Sequence, residues 1–208
     1  GNIKVQSLED HSNIRLEIRP DNNSDYFQWF HFRVTGAKDL SLKIVLVNAS
    51  KAAFPDGWLN YNACVSVDRK VWTRVEETSY SDGELIIEYT PSSDCVYFAY
   101  FEPYTLDRHH DFITEAVTHN GVKLSSLGES AQGRPMDCLS VGNGAKNIWL
   151  IARQHPGETM AEWWMEGFIT RLLDYNDFVS KELLQKASFF IVPTMCPDGS
   201  FIGNLRTN

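Results

Sequence analysis

Apolar and polar residues alternate in short bursts through the first half of the chain, and through the second half apolar residues recur at helical spacing. The bursts are "IRLEI" (14–18), "YFQWFHFRV" (26–34), "SLKIVLV" (41–47), "ACVSV" (63–67), "VWTRV" (71–75), "ELIIEY" (84–89) and "CVYFAYF" (95–101). All are rich in β-branched and aromatic side chains, which favour strands. Asp21-Asn22-Asn23, Pro55-Asp56-Gly57 and Asp82-Gly83 supply turns between them. This pattern predicts an antiparallel β-sandwich over residues 1–103.

From residue 104 the chain reads as α/β. "TLDRHHDFITEAVTHNG" places Leu106, His109, His110, Ile113 and Val117 near one helical face, with His119-Asn120-Gly121 as the exit. Two short strands, "VKLSSL" and "PMDCLSV", follow. "NIWLIA" (147–152) is apolar enough for a strand buried on both faces. Beyond it Ala161, Trp164, Met165, Phe168 and Leu172 repeat at helical spacing. Thr159 and Glu162 fit a capping box, which starts this helix at Thr159, and Trp163 and Trp164 are expected to pack it on the sheet. "DFVSKELLQKA" and the apolar "SFFIVPTM" (188–195) complete a strand, crossover, strand unit. Such units are right-handed and bind ligands beyond the carboxyl ends of their strands.

Composition narrows the function classes. With 208 residues, 43% of them hydrophobic, the chain can bury a core. A net charge of −8 without a lysine or arginine cluster argues against a nucleic-acid partner. No apolar run approaches the roughly 20 residues of a membrane helix, so no membrane association is expected. The N-terminus "GNIKVQSLED" lacks a signal-peptide layout. Cys64, Cys95, Cys138 and Cys196 are scattered without C-x-x-C spacing, which fits a reducing, cytoplasmic setting.

The candidate chemistry lies in "RQHPGE", between the buried strand and the helix, where His155 and Glu158 interrupt an apolar run. A loop there can aim side chains at a ligand from a rigid scaffold. An imidazole nitrogen and a carboxylate oxygen are both good zinc ligands, and a catalytic zinc takes three protein ligands plus an open position. On spacing alone a plain helix start competes: Pro156-Gly157 makes the turn and Glu158 accepts backbone N–H bonds. Other features read as structural. In "DRHHDF", Asp107, His109, His110 and Asp111 diverge around the helix and cannot all face one ion, which leaves a half-exposed helix face. His31 sits outward on an alternating strand. "WFHF" could form a carbohydrate-stacking platform.

"HPGET" before a Trp-rich helix, then a strand and "PTMCPDGSFIGNLR", resembles the zinc metallocarboxypeptidases, in their cytosolic carboxypeptidase branch. "QWFHFRVTG" and "LGESAQGRPMDCLSVG" are similar to that branch's N-terminal β-sandwich and its lead-in to the catalytic domain. The resemblance implies a sandwich over 1–103 and the first part of a carboxypeptidase-like α/β domain with a mixed sheet over 104–208, incomplete in this chain. It makes His155 and Glu158 two ligands of a Zn2+ ion. It makes Arg206 the catalytic arginine that supports the developing oxyanion, a role suited to a planar, permanently charged guanidinium. Zinc would acidify a water whose proton a carboxylate takes, readying attack on a peptide carbonyl. The substrate implied is a peptide or protein C-terminal tail, with acidic residues such as glutamate removed. The family's third ligand, a later histidine, has no counterpart, because no histidine follows His155. Its carboxylate-gripping Asn-Arg pair and general-base glutamate are likewise without counterparts. The expectation is therefore an N-terminal portion of a longer enzyme, inactive by itself. Gly157 stands where some relatives carry a substrate-contacting arginine. The alternatives are a zinc amidoacylase of the aspartoacylase type, and a non-catalytic binding protein with a degenerate metal site.

Overall fold

The computed structural model describes residues 2–207. Among these the chain divides into two compact units, residues 2–103 together with 203–207, and residues 104–202.

The first unit contains β1 (Ile3–Ser7), β2 (Ile14–Ile18), β3 (His31–Thr35), β4 (Leu42–Leu46), β5 (Cys64–Ser66), β6 (Thr73–Arg74), β7 (Thr78–Ser81), β8 (Glu84–Tyr89) and β9 (Cys95–Ala99). They form a five-stranded sheet, β1-β2-β4-β8-β7, and a four-stranded sheet, β3-β9-β5-β6. Alternation does its expected work on β2, where Ile14, Leu16 and Ile18 point into the core and Arg15 and Glu17 do not. One core draws Ile44, Leu46, Leu85 and Ile87 from the first sheet and Phe32, Val65, Val96 and Phe98 from the second. Each such fully buried side chain contributes about 1.5–3 kcal/mol.

Two details depart from the sequence pattern. β2 and β4 pair in parallel, so the sandwich is not purely antiparallel. The chain leaves the first sheet after β2, lays β3 in the second, and returns to the first running the same way. The strand expected over 26–34 begins only at His31. Upstream, the Gln28 side chain replaces a strand neighbour: its amide donates to the Phe54 carbonyl (2.9 Å) and accepts from the Phe54 N–H (2.8 Å). Trp29, Phe30 and Phe32 are buried, so "WFHF" is core and offers no stacking platform. His31 packs edge-on against Trp72, and burial, with nearby positive charge including Arg69, lowers its pKa to about 4.

The second unit contains α1 (Leu106–Ala116), β10 (Lys123–Glu129), β11 (Pro135–Val141), β12 (Lys146–Ile151), α2 (Thr159–Leu172), α3 (Phe178–Lys186), β13 (Ala187–Val192) and α4 (Pro197–Ile202). Its mixed sheet has the order β10-β11-β13-β12. β12 and β13 pair in parallel in register from Lys146↔Ala187 to Ile151↔Val192, with α2 and α3 in the crossover between them. β11 runs antiparallel to β13. Phe112, Ile113, Met165, Ile169 and Leu172 of the helices meet Leu139, Phe189 and Ile191 of the strands in a second core. Between β11 and β12 the backbone presses on the α3–β13 junction. A Cβ on Gly144 would lie 1.9 Å from the Lys186 carbonyl carbon, so only glycine fits there.

The helical faces differ from those read from sequence. α1 is capped by Thr105, whose side chain accepts from the Arg108 N–H, and it buries His109, Phe112, Ile113 and Ala116 while His110 and Val117 face out. α2 does begin at Thr159, but the capping box does not form. Glu158 is the N-cap residue, Thr159 is the first helical residue, and Glu162 turns inward at 1% exposure. The buried stripe is Thr159, Glu162, Met165, Ile169 and Leu172, which puts Trp164 on the surface. β12 is not buried on both faces, since Trp149 and Ile151 are exposed. It ends the strand order, and the helical core covers only the side of Ile148 and Leu150.

Candidate metal centre

The loop after β12 is pinned at both ends before it presents any chemistry. The Ala152 N–H donates to the Val192 carbonyl (3.1 Å) and the Ala152 carbonyl accepts from the Met195 N–H (3.0 Å), which continues the parallel pairing past the strand ends. Arg153 then takes a left-handed backbone conformation, φ 50°, uncommon for a residue with a Cβ. This reverses the chain and sends the Arg153 side chain into the unit, where it is 3% exposed. Pro156 and Gly157 are buried beneath the loop, and the Glu158 N–H closes the turn on the His155 carbonyl (3.1 Å).

The turn brings His155 and Glu158 together. His155 Nδ1 lies 3.0 Å from Glu158 Oε1, with both side chains partly exposed at 37% and 46%. Two ligands of a tetrahedral zinc, each near 2.1 Å, stand about 3.4 Å apart. The observed pair is close to that spacing, and its nitrogen and oxygen donors fit zinc chemistry. Among the described residues no group of three or more His, Cys, Asp or Glu is gathered as a metal site. A catalytic zinc at this pair would need a further protein donor.

Behind the loop lies a buried charged chain that sequence reading missed. Arg153 Nε donates to the Pro156 carbonyl (3.0 Å), and its Nη1 donates to the Tyr104 carbonyl (2.7 Å) and to Glu162 Oε2 (2.7 Å). The other Glu162 oxygen lies 2.8 Å from His109 Nδ1, and His109 Nε2 lies 3.2 Å from Asp137 Oδ2. Both ring nitrogens of His109 therefore face carboxylates, an arrangement that suits a doubly protonated imidazolium. Burial by itself would lower the His109 pKa, but the hydrogen bond and charge of Glu162, followed by those of Asp137, outweigh it and raise the value. Arg153 and His109 balance Glu162 and Asp137, which is how four charged groups occupy so dry a place. The available signal was a glutamate at the spacing of Met165, Ile169 and Leu172. "DRHHDF" contributes one residue to this chain, His109, as a structural cation rather than on a half-exposed face.

The segments around "GESAQGRP" and "CPDGS" are joined as well. Asp198 of α4, fully buried, accepts from Ser130 Oγ (2.7 Å), the Gln132 N–H (3.0 Å) and Arg134 Nη1 (2.7 Å). Burial would raise its pKa, but these donors win and lower it.

Arg206 belongs to the first unit rather than to the unit that carries His155 and Glu158. Its exposed side chain springs from a turn fixed by Asp21, a residue read from sequence only as a turn former. The buried Asp21 carboxylate accepts from the N–H groups of Leu205 (2.6 Å), Arg206 (2.7 Å) and Thr207 (3.0 Å) and from Thr207 Oγ1 (3.3 Å).

Comparison with known proteins gives matches along nearly the whole chain. Residues 1–101 match the family model of the cytosolic carboxypeptidase N-terminal domain, and residues 112–207 match that of the zinc carboxypeptidases. An uncharacterised protein of Zymomonas mobilis is 57% identical over all of this chain and 54% of its own length. Mouse cytosolic carboxypeptidase 6 is 28% identical over 99% of this chain and 42% of its own. The crystal structure of a metallo-carboxypeptidase from Burkholderia cenocepacia superposes with a TM-score of 0.97 at 42% identity, covering 100% of this chain and 57% of that one. A metallo-carboxypeptidase from Pseudomonas aeruginosa, solved with (2-guanidinoethylmercapto)succinic acid, gives 0.96 at 44% identity, covering 100% and 56%. The chain thus spans about half the length of the relatives it matches.

Proposed function

This chain belongs to the zinc carboxypeptidase family, in its cytosolic carboxypeptidase branch, and on that footing we propose that the full-length protein is a cytoplasmic zinc-dependent carboxypeptidase. Its substrates are the C-terminal tails of peptides or proteins, with glutamate among the residues removed. The observation that carries this reading is the His155–Glu158 pair, 3.0 Å apart at the carboxyl end of a parallel strand.

His155 and Glu158 hold Zn2+ with a third protein donor outside this pair. When bound, zinc supplies a Lewis acid that polarises a carbonyl and acidifies a water. The chain's own residues hold that chemistry in place: Ala152 and Arg153 fix the loop, and the turn at Pro156-Gly157 brings imidazole and carboxylate together. Arg206 is the catalytic arginine, its planar, permanently charged guanidinium suited to a carbonyl oxygen that gains charge. A free carboxylate marks a peptide C-terminus, and the Pseudomonas relative has been solved in complex with a succinic acid derivative.

Zinc content by elemental mass spectrometry, on this chain and on the longest natural chain containing it, tests the reading, together with release of glutamate from peptides that end in it. The longer chain is expected to hold one zinc per molecule. His155→Ala and Glu158→Gln should each abolish zinc retention, and unchanged metal content in either would refute the ligand assignment. Arg206→Ala should keep the metal and lower turnover by about 100- to 1,000-fold. Loss of zinc in that variant would remove its assigned role.

A further inference from the structure

The buried chain behind the metal loop spans three elements that carry neither His155 nor Glu158: α1 with His109, β11 with Asp137, and α2 with Glu162. Arg153 links it to the loop, and the link is directional. One guanidinium both donates to the Pro156 carbonyl, between the two ligands in sequence, and is held by Glu162 Oε2. Glu162 in turn cannot rotate without breaking its bond to His109, which Asp137 holds from the far side. All three of Arg153, Glu162 and His109 are 3% exposed or less. An arginine in an uncommon backbone conformation, with its guanidinium held at Nε and Nη1, has little freedom to shift the turn it grips.

We propose that Arg153, Glu162, His109 and Asp137 are positioning residues for the metal loop, setting the zinc affinity of His155 and Glu158, Arg153 from within the loop and the other three from α2, α1 and β11. Residues of this kind behind a metal typically alter affinity by about 10- to 100-fold when replaced. The inference rests on the zinc reading above. It assigns His109 of "DRHHDF" and Glu162 of α2 a part in function, although neither would touch metal or substrate.

The test is zinc affinity of the full-length protein, by competition with a chromophoric chelator, together with the d–d absorption bands of the Co2+-substituted form. Glu162→Gln and Arg153→Lys are the single variants. Glu162→Gln with His109→Asn is a charge-balanced pair that keeps the proposal testable should a single variant fold poorly. Folded variants are expected to bind zinc about 10- to 100-fold more weakly and to show shifted cobalt bands. Zinc affinity within twofold of wild type with unchanged bands, in the charge-balanced variant, would overturn the positioning role and leave the metal reading intact. Absence of zinc binding by the wild-type full-length protein would overturn both.

Discussion

At the residue scale the second unit holds one histidine between two carboxylates. His109 has its pKa raised above the ordinary 6.5 by Glu162 and Asp137 against the effect of burial. The folded state therefore binds a proton more tightly than the unfolded chain does. The sign follows: the stability due to His109 is fully present below about pH 6.5 and is lost as pH rises through the folded value. Denaturant titrations at a series of pH values should show the second unit weakening above pH 6.5, and His109→Gln should flatten that slope. A slope unchanged in His109→Gln would show that the imidazolium is not the titrating group. The same chain explains why Glu162 does not cap its helix. A carboxylate that satisfies Arg153 and His109 at once makes two charge-assisted bonds in a dry site, worth more than the single bond of a helix cap.

At the scale of elements, the strand, crossover, strand unit puts His155 and Glu158 beyond the carboxyl end of β12, and one glycine holds its other end. The Asn143 N–H donates to the Leu184 carbonyl (3.0 Å) and Ser188 Oγ donates to the Gly144 carbonyl (2.9 Å), which draws the β11–β12 connection onto α3 and β13. Any Cβ at Gly144 meets backbone, which cannot step aside as a flexible side chain would. Gly144→Ala is expected to destabilise the second unit by about 1–3 kcal/mol, the usual cost of overpacking. Thermal unfolding of the variant measures this, and a midpoint equal to wild type would mean that the connection yields.

Considered as a whole, the chain closes the first unit with residues far away in sequence. Asp21 binds the backbone of Leu205, Arg206 and Thr207 across separations of 184 to 186 residues. Hydrogen bonds to a charged group are worth about 1.5–3 kcal/mol each, so Asp21→Ala should speed hydrogen exchange at these amides by about 10- to 100-fold. Mass-spectrometric exchange resolves that segment, and equal rates in variant and wild type would show that the turn stands without its anchor. Arg206 would then owe its place to something other than this carboxylate.

What the sequence by itself determined is local and periodic. Alternation gave most strands of the first unit, short strand-like runs gave β11 to the residue and the parallel β12 and β13, and a capping-box reading placed the start of α2 at Thr159 although the box itself does not form, because these features depend on spacing that short segments carry within themselves. The pairing of His155 with Glu158 was legible for the same reason: three residues and a Pro-Gly turn suffice. Only the tertiary structure decided which helical face goes inward, since Glu162 and His109 are polar by identity and become core residues only where Arg153 and Asp137 meet them. It alone decided the parallel β2–β4 pair, which needs a passage through the other sheet, and the anchoring of the Arg206 turn by Asp21. Charges in contact over such separations leave no period in the sequence. Their partners are set by packing, and packing is a property of the folded chain.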